Sequence, residues 1–185
     1  MPEPLYTELN MRVVAHRGYA SKYPENTITA LDEAVKVGVE MVEFDVQLTK
    51  DGVPIMIHDG NFKRTTGLDL SVFELNKKDF HNHIDLKAVS SVEEVMVWLK
   101  GNPRVKAFVE IKQESILFHG LEKCMKALKD ACETALAQCV LISFNPYAVE
   151  EAIKTGFHQI GWVVISYDVA GEKMARKINP NYLFA

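Results

Sequence analysis

Residues 41–59, Met-Val-Glu-Phe-Asp-Val-Gln-Leu-Thr-Lys-Asp-Gly-Val-Pro-Ile-Met-Ile-His-Asp, hold two β-rich runs separated by Asp51-Gly52. Met41–Val46 reads as a strand. A hairpin excursion leaves through Gln47–Lys50, turns at Asp51-Gly52 and returns along Val53–His58, because Asp-Gly supplies the positive φ that a tight hairpin turn requires. Side chains alternate along a strand, so Glu43 and Asp45 share one face while Val42 and Phe44 share the other. Carboxylates aimed into a sheet core without partners are costly. The run ends on His58-Asp59, which adds a side chain that titrates near neutral pH.

Working outward, the β-branched run Arg12–His16 ends on His16-Arg17-Gly18. Asn26-Thr27 offers a cap for a helix carrying Ile28, Leu31, Ala34 and Val35 on one face, stopped by Gly38. Past the hairpin, residues 60–88 are rich in Asn, Asp, His and Lys and read as an insertion over one end of the domain. Ser90-Ser91-Val92-Glu93-Glu94 offers a capping box before a helix with Val95, Met96 and Leu99, closed by Gly101 and Pro103. Strands are expected at Ala107–Lys112, Cys139–Phe144, Gln159–Ile165 and Tyr182–Ala185. Helices are expected at Phe118–Ala135, Pro146–Thr155 and Gly171–Ile178. Six strand–helix alternations with short links predict one α/β domain with a parallel sheet covered by helices. Such a sheet is either open and doubly wound or closed into a barrel. The first strand-to-helix link has Gly18 and no glycine-rich turn, which counts against a dinucleotide site.

A chain of 185 residues with 48% hydrophobic and 25% charged residues suits one soluble domain. A formal charge of −4 supplies no long-range field for nucleic acid or an anionic membrane, so anion specificity must be local. The apolar runs are strand-length, which predicts no membrane anchoring. Met1-Pro2-Glu3-Pro4 lacks the features of a secretory signal. Cys124, Cys132 and Cys139 are odd in number and close in sequence, so buried free thiols in a reducing cytoplasm are expected.

Glu110 and Lys112 share a face of Ala107–Lys112. Glu43, Asp45 and Glu110, meeting near a lysine and an arginine, would bind a divalent cation. Their all-oxygen donors suit Mg²⁺ or Ca²⁺ rather than zinc. Solvated ion pairs are the plain alternative. His16 and His58, each at a strand end, fit an acid–base pair across a scissile P–O bond, and Arg17 matches a phosphate fork. His81 and His83 are surface groups or line a pocket mouth, and His119 and His158 receive no role. Trp98 is assigned to the core, whereas Trp162 either joins the core or floors a pocket. Lys123, Lys126 and Lys129, among acidic residues at helical spacing, form a solvated face.

His16-Arg17-Gly18, Pro24-Glu25-Asn26-Thr27, Glu43 to Gly52, Pro54 to Asp59, Val109-Glu110-Ile111-Lys112 and Ser143-Phe144 together resemble the glycerophosphodiester phosphodiesterases over roughly residues 12–185. The resemblance implies a TIM (β/α)₈-type barrel with its site at the C-terminal strand ends. It also implies hydrolysis of a glycerophosphodiester to sn-glycerol 3-phosphate and an alcohol. Residues 60–88 correspond to a short capping subdomain. Positions matching His16 and His58 are the general acid and base, those matching Glu43, Asp45 and Glu110 hold the metal, and those matching Arg17 and Lys112 contact phosphate. The family continues through two further strands, so a barrel truncated after about six strands is expected. Membership in a longer protein is preferred over completion by a partner, such as a homodimer, or an inactive remnant. The expected function is metal-dependent hydrolysis of small water-soluble glycerophosphodiesters. A lysophospholipase D-like enzyme and a noncatalytic phosphodiester-binding or assembly module are the alternatives.

Overall fold

The computed structural model describes residues 12–164 and 168–184. Six strands run parallel: β1 (Val14–Ala15), β2 (Met41–Leu48), β4 (Lys106–Ile111), β5 (Cys139–Ser143), β6 (Ile160–Val163) and β7 (Tyr182–Phe184). They lie side by side in the order β1-β2-β4-β5-β6-β7, and β3 (Pro54–Met56) pairs antiparallel with the end of β2. The expected hairpin is present, with Val46 opposite Met56 and Leu48 opposite Pro54. Each parallel neighbour follows a helical crossover, as strands running the same way require. The architecture is a half-barrel of six parallel strands and their helices.

Alternation along the strands separates two apolar layers. Val42, Phe44, Val46, Val109, Ile111, Leu141 and Trp162 pack outward against the helices. Phe108, Val140 and Ile142 pack inward with Val14, Met41, Val163, Tyr182 and Phe184. Trp162 is therefore core and does not floor the pocket. Its indole N–H donates to the carbonyl of Phe144 at 3.2 Å, and its neighbour Val163 takes the cavity-facing position.

Helix α1 (Ile28–Lys36) starts at Thr27, whose hydroxyl accepts from Ala30 N–H. A short helix α2 (Lys63–Thr66) and three 3₁₀ turns occupy the 60–88 segment, around an apolar cluster of Ile55, Ile57, Phe62, Val72, Phe80, Leu86 and Val89. Helix α3 (Val92–Lys100) has both halves of the Ser91/Glu94 capping box. The single helix expected over Phe118–Ala135 is broken. Helix α4 (Gln113–His119) stops at Gly120, α5 (Leu121–Cys132) begins after it, and a 3₁₀ stretch covers Glu133–Gln138. Gly120 has φ +83° and ψ 150°, a conformation that essentially only glycine adopts, so it separates the two segments. Helices α6 (Pro146–Thr155) and α7 (Val169–Ile178) complete the set.

Four expected strands are shorter than their runs: β1 covers only Val14–Ala15, β3 only Pro54–Met56, β5 ends at Ser143, and β6 covers Ile160–Val163. The expected ends at Ile165 and Ala185 lie outside the described residues. Cys124, Cys132 and Cys139 are free and buried. Trp98 is half-buried against the core and donates to Asp32, while Lys126 and Lys129 pair with Asp130 and Glu133 on the outer face of α5. Among the described residues no helix is long and apolar enough to cross a membrane.

Candidate active site

Parallel pairing sets Asp45 beside Glu110 across β2 and β4, and the two-residue period adds Glu43 and Lys112 to the same face. The three carboxylates are nearly or fully buried, and one oxygen from each lies within 4.8 Å of the others. Two cations balance most of this charge. Lys112 Nζ lies 2.6 Å from Glu110 Oε1 and 3.1 Å from Asp45 Oδ1. Arg17 Nε approaches Asp45 Oδ2 to 3.1 Å, but its N–H is not aligned for a hydrogen bond, so this contact is Coulombic.

The turn after β1 places Arg17 and His16. Arg17 has φ +57°, and its backbone N–H donates to Glu43 Oε2 at 2.9 Å. Gly18 follows at φ +77°, and a Cβ there would sit 2.6 Å from the backbone carbon of Ala30. Only glycine lets this turn lie so close to α1. His16 stands at the cavity rim, with Nε2 3.8 Å from Glu43 Oε2. His58 follows β3 at the opening, and its Nδ1 lies 2.6 Å from Asp59 Oδ1.

A cavity of about 300 Å³ brings together His16, Arg17, Glu43, Asp45, His58, Glu110 and Lys112. Its remaining walls are apolar and include Val14, Ile142, Phe144, Val163 and Phe184. All predicted site residues meet here except Trp162. His81 and His83 do not line the cavity.

Burial, with the Asp45 charge second, pushes the Glu43 carboxyl up to about 8. Burial also raises Glu110, partly offset by the hydrogen bond from Lys112. Burial pulls Lys112 down, but its bond to Glu110 and the Asp45 charge outweigh that and raise it overall. Partial burial and the neighbouring Arg17 lower His16, which favours its neutral form.

Glu43 Oε1 is buried without a hydrogen-bond partner, and three carboxylates face only two fixed cations. An orphaned acceptor in an all-oxygen cluster with surplus negative charge fits a hard divalent cation. The donor set can hold such an ion through Glu43, Asp45 and Glu110.

Several supporting residues escaped the reading of the sequence. Asn26, expected only at a helix start, is buried at φ +52°. Its side chain donates to Asp45 Oδ2 and accepts from Asp45 N–H, at 2.9 and 3.0 Å. Gln47 donates to the His58 carbonyl and accepts from the Ser115 hydroxyl. Glu25 and Arg64 are joined to Arg17 and Asp59 in a rim network. Asn tolerates a left-handed conformation, the one local signal available for Asn26. The other partners lie far apart in sequence or on an irregular segment.

The profile of the glycerophosphoryl diester phosphodiesterase family matches residues 16–168, which include every residue of this cluster. The chain belongs to that family. A glycerophosphodiester phosphodiesterase of Caldanaerobacter subterraneus is 34% identical over 156 residues, 79% of this chain and 63% of that protein. One from Bacillus altitudinis is 32% identical over 62% of this chain and 51% of its own length. The chain thus spans roughly half to two-thirds of these curated relatives. A lysophospholipase D of Rattus norvegicus is 42% identical over only 64 residues, 35% of this chain and 20% of that protein.

Among solved family structures, the phosphodiesterase of Thermotoga maritima superposes with a TM-score of 0.77 at 25% identity, covering 94% of this chain and 73% of that one. An Oleispira antarctica phosphodiesterase, solved with its product sn-glycerol-3-phosphate, gives a TM-score of 0.77 at 22% identity, covering 94% of this chain and 74% of that one. The half-barrel therefore follows the TIM-barrel-like fold of the glycerophosphodiester phosphodiesterases over most of its length.

Proposed function

We propose that this chain carries the site of a divalent-cation-dependent phosphoric diester hydrolase, releasing sn-glycerol 3-phosphate and an alcohol from small glycerophosphodiesters. The observation that carries it is the convergence of two imidazoles, three carboxylates, Arg17 and Lys112 on one cavity. The names of the relatives more than 30% identical over most of the chain support the same substrate class.

Glu43, Asp45 and Glu110 would hold Mg²⁺ or Ca²⁺. Such an ion, when bound, supplies electrostatic stabilisation of the charge that builds on the phosphate. Arg17 and Lys112 pair with the non-bridging oxygens, Arg17 through its planar fork and Lys112 as a point charge. One histidine takes a proton from the glycerol 2-hydroxyl or from water. The other gives a proton to the leaving alkoxide oxygen. Attack by the hydroxyl passes through a cyclic phosphate; attack by water reaches the products directly. The three buried thiols fit a reducing, cytoplasmic setting.

Ile84, Leu86, Ala88 and Val89, the apolar residues at the end of the insertion, do not line the cavity, which favours the water-soluble substrate over a lysophospholipid. The test is release of glycerol 3-phosphate from glycerophosphocholine with Mg²⁺, Ca²⁺ or EDTA. Cation-dependent release that disappears in Glu43→Ala and in His58→Ala is expected. A folded chain that binds the cation and releases nothing would put the noncatalytic binding module ahead, or mean that the further strands of the family complete the site.

A further inference from the structure

Arg64 lies on α2, outside the cavity, and takes no part in the chemistry proposed above. Its guanidinium reaches two carboxylates in different directions. Nε donates to Asp59 Oδ2 at 2.6 Å, and Nη2 donates to Glu25 Oε1 at 2.6 Å. Each carboxylate also holds a group of the site. Asp59 Oδ1 is 2.6 Å from His58 Nδ1, and Glu25 Oε1 accepts from Arg17 Nη1 at 3.1 Å.

An ionised carboxylate has no proton to donate, so the short His58–Asp59 contact requires the proton on His58 Nδ1. That assignment leaves Nε2 as the atom available for proton transfer. Asp59 holds the ring only if its own orientation is held, and the side chain that engages its second oxygen is Arg64. The Glu25 contact anchors the other arm of the guanidinium, so the fork cannot turn away from Asp59 without breaking both.

We propose that Arg64 is a positioning residue for His58: by orienting Asp59 it keeps the imidazole protonated at Nδ1 and Nε2 free. The consequence for turnover rests on the hydrolase reading above; the tautomer does not. The arrangement is poorly explained as a staple for the 60–88 segment. Arg64 is 48% exposed, Glu25 22% and Asp59 27%, and ion pairs so accessible add little to stability. Phe62, Phe80 and Leu86 already seat that segment on Ile55 and Ile57.

The experiment is ¹⁵N NMR of the His58 ring, at a pH where it is neutral, in the wild-type chain, Arg64→Met and Arg64→Lys. Turnover of glycerophosphocholine and thermal unfolding are followed in parallel. The wild type is expected to carry its proton on Nδ1, and Arg64→Met to populate both tautomers with Tm near wild type. Its kcat should fall by about tenfold to a hundredfold with KM little changed, up to the scale of a misplaced catalytic group. Arg64→Lys retains the charge but not the two-directional fork, so it should restore only part of the loss. An unchanged His58 tautomer in Arg64→Met would overturn the proposal whatever the turnover. If the wild type shows no turnover yet the tautomer shifts in Arg64→Met, positioning is upheld and the hydrolase reading fails.

Discussion

At the scale of single residues, the buried carboxylates matter most. Glu43 is expected to bind a proton up to about pH 8 when no cation is present. The sign follows from linkage. The unfolded chain releases this proton near the ordinary carboxylate value, so between that value and about 8 the folded chain holds more protons. Raising the pH through this window should lower the stability of the cation-free protein. Cation binding displaces the same proton, so affinity should strengthen by up to about tenfold per pH unit below 8. Calorimetric titration at pH 6, 7 and 8 checks this, and a flat affinity would remove Glu43 from the ligand set. Asn26 is the second case, because it holds Asp45 through two buried hydrogen bonds. Asn26→Ala should cost about 2–3 kcal/mol, from those bonds and from placing alanine at positive φ. Cation affinity should drop with it. Urea unfolding beside a cation titration separates this from a simple helix-start role, which would leave the affinity unchanged.

At the scale of elements, the decisive contact is between the β1–α1 turn and α1 itself. A Cβ at Gly18 would meet the carbon and oxygen of the Ala30 backbone, atoms that cannot turn aside as a flexible side chain would. Gly18→Ala should therefore destabilise by about 3 kcal/mol or more, combining steric overlap with a positive φ. It should also shift Arg17, whose backbone N–H holds Glu43. Chemical denaturation measures the first effect; a wild-type midpoint would mean that α1 moves aside freely. Two helix starts were readable locally because caps act within one turn: Thr27 and Ser91, in the stretches expected to cap, accept the N–H groups of Ala30 and Glu94. The break at Gly120 was not readable in this way. The apolar spacing of α5 continues the pattern of the segment before it, and one glycine inside a helical run does not declare its backbone conformation.

At the scale of the whole molecule, the sheet has a protected middle and two thin margins. β4 is paired on both sides, and Ala107 and Val109 are fully buried. β1 holds only two paired residues, and Leu183 in β7 is 44% exposed. Hydrogen exchange should therefore protect β4 amides nearly to the level of global unfolding, while β1 and β7 amides exchange earlier through local opening. Equal protection across all six parallel strands would show instead that the margins are covered in solution. Phe108 ties the middle to one margin, meeting Tyr182 and Phe184 edge-on at 4.9 and 5.3 Å.

The order of strands and helices, the hairpin at Asp51-Gly52 and the shared face of Glu43 and Asp45 followed from the sequence, because periodicity, caps and turn chemistry act over a few residues. The gathering of Glu110 and Lys112 with Glu43 and Asp45 was partly legible through the same alternation. Its completion needed the parallel register that sets Asp45 beside Glu110. Only the tertiary structure decided the rest. It turned Trp162 outward, drew Asn26 onto Asp45, and let Arg64 reach Asp59 and Glu25 at once. These are contacts between separate elements, or across an irregular turn, and their geometry is set by how the layers pack rather than by any local preference of the chain.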